Sequence, residues 1–276
     1  MDSAAAWRRF YHDERTRLGP DVLSEAVEQA RPLTVRSGGA IVIPHTRLEV
    51  TAPQIGAAVA TVLASGTERV LAVGVLHGGR REDRELVAAA RRGDTDARDR
   101  LRGVHDEDGV ASEEFSLDGF AEMFRLATAR LGRPVEMIRR YPFLVGDDPS
   151  SLPGFDELRQ LVDDGAMLVV TTDPVHHGRA YDTPPAECRD PDAPATLDHA
   201  RSLIDAQFAA LAAYDFARFG ALAEECRSDF RDTGPVMAAL VGPGFDATVH
   251  RLDLVDYAAA LDAPDPSWVA AALATV

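Results

Sequence analysis

Short apolar runs alternate along the chain with amphipathic stretches, and three of the runs end in the same way. Ala40–Ile41–Val42–Ile43 breaks into Pro44–His45, and the run from Val70 to Leu76 breaks into His77–Gly78–Gly79. Met167–Leu168–Val169–Val170 leads into Thr171, Thr172, Asp173, Pro174, Val175, His176, His177 and Gly178. Apolar runs of this length bounded by turn residues predict strands buried on both faces. Polar residues at their ends predict chemistry at the C-terminal edge of a parallel sheet. Between the runs, Pro53 to Ser65, Ser116 to Leu131 and Pro153 to Val162 carry apolar residues at helical spacing. This β–α–β rhythm requires crossover connections of right-handed sense.

The rest of the chain fits around that frame. A helical segment is expected within residues 1–35, broken near Leu18–Gly19–Pro20, and Val135 to Gly146 reads as a further strand. Residues 80–113 are highly charged and predict a short helix followed by an exposed acidic loop. Arg179 to Pro194 is proline-rich and predicts a long loop over the strand exits, with Tyr181 part of a lid. Leu197 to Asp229 predicts two helices, Asp232–Thr233–Gly234–Pro235 a turn before a helix at Val236–Val241, and Thr248 to Tyr257 the final strand. No internal repeat and no linker composition interrupts the pattern. The expectation is one α/β domain over residues 1–276, with a mainly parallel central sheet and helices on both faces.

Composition narrows what such a domain does. The 276 residues are 46% hydrophobic, enough for a substantial core, and the net charge of -16 argues against nucleic-acid or anionic-membrane partners. No apolar run approaches the roughly 18 residues of a membrane span, and Met1 to Arg9 lacks the apolar centre of a signal peptide, so a cytoplasmic location is expected. Cys188 and Cys226 form neither a disulfide framework nor a paired-cysteine zinc motif. Every basic residue other than histidine is arginine, which excludes lysine Schiff-base chemistry and a P-loop lysine.

His45 and His77, at equivalent strand ends, are candidate metal ligands, and imidazole suits Fe(II), Cu or Zn. Asp173 and His176, three residues apart in a tight turn, are positioned to aim both side chains inward. Glu114 opens a helix, where a carboxylate is favoured in any case, and is a ligand, supporting or substrate-binding candidate. Arg47, just after His45, is a candidate for holding an anionic substrate, and His177 for lining the pocket.

Several segments, in order, resemble the Memo-like proteins, which share a fold with the class III extradiol ring-cleavage dioxygenases. Pro44–His45 after its strand resembles the family's "APH" segment, and Leu76–His77–Gly78–Gly79 stands where the second family histidine follows the second strand. Glu113–Glu114–Phe115–Ser116–Leu117–Asp118 is similar to "EHSLE", with Phe115 in place of its histidine. Tyr141 to Gly146 resembles "VPILVG", Thr172 to Gly178 resembles "SDFSHYG", and Leu254 to Ala258 resembles the terminal "LLDYA". The resemblance implies a non-heme Fe(II) oxygenase acting with dioxygen on a small aromatic or phenolic molecule. It implies His45 and His77 as ligands and His176 as the acid/base residue, oriented by Asp173. Extradiol enzymes add a late glutamate and Memo proteins a cysteine before a C-terminal helix. The corresponding stretch here has no cysteine, which leaves Asp229 and Asp232 as the carboxylate candidates. A non-catalytic metal- or peptide-binding protein and a metal-dependent hydrolase using the same histidines are the alternatives.

Overall fold

A computed structural model describes residues 4–276; positions 1–3 of the expected N-terminal segment lie outside the described residues. The elements are α1 (Ala4–Gln29), β1 (Ala40–Ile43), α2 (Leu48–Ser65), β2 (Arg69–Val73), α3 (Arg84–Arg91), α4 (Thr95–Leu101), β3 (Gly103–His105), α5 (Asp118–Leu131) and β4 (Glu136–Phe143). They continue with α6 (Phe155–Asp163), β5 (Met167–Thr171), β6 (Val175–Gly178), α7 (Pro194–Ala212), α8 (Phe216–Glu225), α9 (Phe230–Val241), β7 (Thr248–Asp256), α10 (Ala258–Leu261) and β8 (Ser267–Thr275). Gly19, at φ 74 and ψ 166, breaks α1 where Leu18–Gly19–Pro20 predicts it.

Among the described residues the strands form one eight-stranded sheet in the order β3-β4-β2-β5-β1-β8-β6, with β7 also on β8. The central four, β4, β2, β5 and β1, are parallel. The outer four pair antiparallel, so the sheet is mixed rather than mainly parallel. The strand that does most to make the sheet mixed is β8, wholly buried and rich in alanine. Alanine has little strand preference and no polar alternation marks a strand buried on both faces, so nothing local announces it.

Side-chain alternation divides the interior into two layers. Ala40, Val42, Leu71, Val73, Leu168 and Val170 face a core shared with α6 to α9, whereas Ile41, Ile43, Val70, Ala72 and Val169 face α1, α2 and α5. The crossovers explain which helix goes where. The steps β1 to β2 and β2 to β4 run one way across the sheet and β4 to β5 runs back, so right-handed connections place α2 and α5 on one face and α6 on the other. By length and composition α2 is apolar enough to cross a membrane, but 56% of it is buried, against α1 and α5 among others.

Two charged or polar stretches fold more fully than their patterns suggest. In the 80–113 region, Val87, Ala90, Ala97 and Leu101 are buried and β3 pairs with β4, so the expected acidic loop is largely ordered structure. The expected turn at Asp232–Pro235 lies inside α9. Gly234 is there for close packing: a Cβ on it would come within 2.9 Å of the Phe219 ring of α8.

One edge of β8 carries β7, and the other is shared. Thr275 and Ala274 pair with Ile41 and Val42 of β1, while Ala270 to Ser267 pair with Val175 to Gly178 of β6. The short strand β6 therefore continues the line of β1 beyond its C-terminal end and delivers His176 beside the exit of β1. Gly178 makes this possible, because its φ is +108 and a Cβ would fall 2.0 Å from the Pro266 carbonyl oxygen. A Gly178→Ala variant is expected to lose at least about 2 kcal/mol of stability, read as a lowered urea midpoint. An unchanged midpoint would mean that this close approach does not hold β6.

Candidate metal centre

Strand β5 lies between β1 and β2, so the exits carrying His45, Asp173 and His77 are neighbours. Asp229 reaches them from the α8–α9 junction. Its backbone N–H donates to the Asp173 carbonyl at 3.2 Å, and the His176 N–H donates to the Cys226 carbonyl at 2.9 Å. Two backbone bonds thus tie the β5–β6 turn to the start of α9.

The side chains converge on one atom. The Nε2 atoms of His45, His77 and His176 each lie 3.4 Å from Asp229 Oδ2. His45 Nε2 is also 3.2 Å from His77 Nε2 and 3.5 Å from Asp173 Oδ2. Four ligands at about 2.1 Å in a tetrahedral shell stand about 3.4 Å apart, so this spacing fits a metal ion. Two overlapping donor groups, His45–His77–Asp229 and Asp173–His176–Asp229, have their ligand atoms within 4.8 Å of one another.

The outer nitrogens distinguish the histidines. His77 Nδ1 is 2.8 Å from Glu114 Oε1, and Glu114 Oε2 accepts from the His77 N–H at 2.6 Å. His45 Nδ1 is 3.2 Å from Thr171 Oγ1, and the His45 N–H donates to Asp173 Oδ1 at 3.2 Å. Both rings are fixed with Nε2 toward the centre, the arrangement in which an outer hydrogen bond orients a ligating imidazole. His176 Nδ1 is buried with no partner, and its ring meets Tyr181 edge-on at 5.0 Å. That ring is held by packing and by the contact of its Nε2 with Asp229, with no hydrogen bond on its outer nitrogen.

Charge is shared unevenly among these groups. Burial opposes ionisation of Asp229, but His176, His45 and His77 overcome it and hold its carboxyl well below the usual range. Burial likewise disfavours a charged His77, yet Glu114 and Asp229 outweigh it and raise the imidazole to about 10. Asp173 is raised by burial, against the pull of His45 and His176. In the metal-free protein the His77 charge contributes stability that is full below the ordinary value of 6.5 and lost as pH rises through about 10. A metal must displace that proton, so its affinity is expected to rise about tenfold per pH unit toward pH 10. Calorimetry in buffers of different ionisation enthalpy should record about one proton released per metal bound at pH 7.5. Zero release would show His77 to be neutral before binding.

A cavity of about 250 Å³ opens on the centre, walled by Trp7, Tyr11, Phe115, Tyr181 and Tyr257. Phe115 stacks on His77 with centroids 4.6 Å apart, and Tyr11 stacks on Phe115 at 5.3 Å. A hydroxyl chain runs from Tyr11 through Tyr257 to Thr46, with O···O distances of 2.8 and 2.5 Å.

Of the candidates read from the sequence, His45, His77, Asp173, His176, Asp229 and Tyr181 line this cavity. Four others do not. Asp232 is turned away, its Oδ1 accepting the Val145 N–H at 2.9 Å, so it supports the exit of β4 instead of a metal. Glu114 is buried beneath His77 and does not line this cavity, which makes it a support for that imidazole and not a substrate contact. Arg47 is engaged with Glu14 and Glu49 outside the cleft, and the guanidinium at the cleft is Arg227, held by the Asp182 carbonyl at 2.9 Å.

His177 points the other way from His176, as successive residues of a strand must. It stacks on Trp268 at 4.7 Å and lines a neighbouring cavity of about 820 Å³. Burial, together with His199, Arg189 and Arg227, lowers it to about 4. Trp7, Tyr11, Phe115, Tyr257 and Arg227 are cavity residues that the sequence pattern does not single out; the i, i+4 aromatic pair Trp7 and Tyr11 on α1 is the one local signal. Comparison with protein-family models and with curated proteins finds no match for this chain.

Proposed function

We propose that the chain is a metal-dependent oxidoreductase, a non-heme Fe(II) oxygenase acting with dioxygen on a small phenolic molecule. The observation that carries this reading is the donor set, two histidines and one carboxylate (His45, His77 and Asp229) with their donor atoms 3.2–3.4 Å apart. That trio is the one that leaves coordination positions open in iron oxygenases. When bound, iron supplies the place where dioxygen and a phenolic oxygen meet and the electron transfer between them.

The remaining work falls to the chain's own side chains. The aromatic walls and the volume of about 250 Å³ suit a single ring. His176 Nε2 lies within reach of the centre, and its unpartnered Nδ1 leaves the ring free to take a phenolic proton and return it. Asp173 lies beside it in the same cluster. The resemblance of the strand-exit segments to Memo-like and extradiol proteins supports the same assignment of His45, His77 and His176.

The test is metal analysis of the purified protein, followed by anaerobic loading with Fe(II) and oxygen-electrode assays with catechols and other phenols. Iron retention with phenol-dependent oxygen uptake is the expected result. Retention of zinc with no oxygen uptake under any loading overturns the oxygenase reading in favour of a hydrolase that activates water at the same histidines.

A further inference from the structure

Helix α1 separates the metal cleft from a second cavity of quite different character. Trp7 and Tyr11 face the cleft, whereas Arg8, Arg9 and Arg15 line an open surface cavity of about 490 Å³ bounded also by Arg81 and Arg84. Its two carboxylates are already engaged, Asp118 with Arg15 at 2.9 Å and Glu113 with Arg84 at 3.1 Å. The nearby acids Glu82 and Asp83 pair with Arg80. Among the described residues no carboxylate pairs with Arg8, Arg9 or Arg81. In addition Arg84 Nε is buried with no hydrogen-bond partner.

This concentration of unpaired guanidinium groups stands out in a chain of net charge -16. Converging like charges repel one another, and an anion between them reverses the sign of that interaction. Guanidinium groups offer planar forks of donors that match phosphate oxygens, and several on opposite walls surround a tetrahedral anion better than one carboxylate could engage them. The volume leaves room for more than a bare ion.

We propose that this cavity is a binding site for a phosphate-bearing small molecule, with Arg8, Arg9 and Arg81 holding the phosphate. The ligand spans α1 and the segment 81–84, and so braces the helix that forms one wall of the metal cleft. The proposal does not depend on the chemistry at the metal.

Calorimetric titration of the metal-loaded protein with inorganic pyrophosphate tests it, run beside an Arg8→Gln, Arg81→Gln double variant. Among the described residues neither arginine has an ion-pair partner to lose, so the unliganded variant should unfold at the wild-type temperature and keep its metal. The expected result is one site per chain, weakened at least about tenfold in the variant. Three outcomes overturn the proposal: no binding at millimolar pyrophosphate, equal binding by the variant, or sulfate binding as tightly as pyrophosphate. Equal binding by the variant would place the anion on the metal instead.

Discussion

An Asp229→Ala variant is expected to fold normally and to lose metal affinity by more than about a hundredfold, beyond the 10- to 100-fold cost of disturbing an outer hydrogen bond. Its Oδ2 is the atom on which three imidazole nitrogens converge, each at 3.4 Å. Without it the centre keeps its imidazoles but loses the carboxylate common to both donor groups. The fold should survive, because the side chain is only three-quarters buried and the tie from the Asp229 N–H to the Asp173 carbonyl belongs to the backbone. Asp232→Ala is the informative contrast. It strands the buried Val145 N–H, so it should cost about 1–3 kcal/mol of stability while metal content stays at the wild-type level. Elemental analysis and urea unfolding of the two variants read both effects. Metal loss in the Asp232 variant with retention in the Asp229 variant would reverse the assignment.

A His176→Phe variant should retain its metal yet turn over about 10²- to 10⁴-fold more slowly, the usual cost of removing a general acid or base. Phenylalanine preserves the edge-on contact with Tyr181 and the β6 pairing, so the loss isolates proton transfer. Oxygen uptake at saturating phenol gives the rate, and elemental analysis gives the occupancy. If occupancy falls as far as in the Asp229 variant, His176 is a ligand in the Asp173–His176–Asp229 group and not a proton carrier.

Much of the frame is legible in the amino-acid pattern. The runs at Ala40–Ile43, Val70–Val73 and Met167–Val170 are apolar without interruption because both faces of those strands are covered by helices, and the run itself records that burial. The polar residues immediately after each run have to lie at one edge of a parallel sheet. The opposite facing of His176 and His177 is also implicit, since a strand alternates its side chains, but only once the segment is known to be a strand.

What the chain's local pattern determined, then, is the parallel centre, the helical layers and the histidines at the strand exits. Tertiary structure alone decided the rest. The alanine-rich β8 laid β6 end to end with β1, and so brought His176 to within 3.4 Å of the same oxygen as His45 and His77. It also chose Asp229 over Asp232, two aspartates three residues apart with nothing in the sequence to rank them. Periodicity reports which face of an element is buried over about ten residues, whereas convergence at 3–4 Å depends on strand pairing and helix packing between segments from 32 to 152 residues apart, as for His45 with His77 and His77 with Asp229.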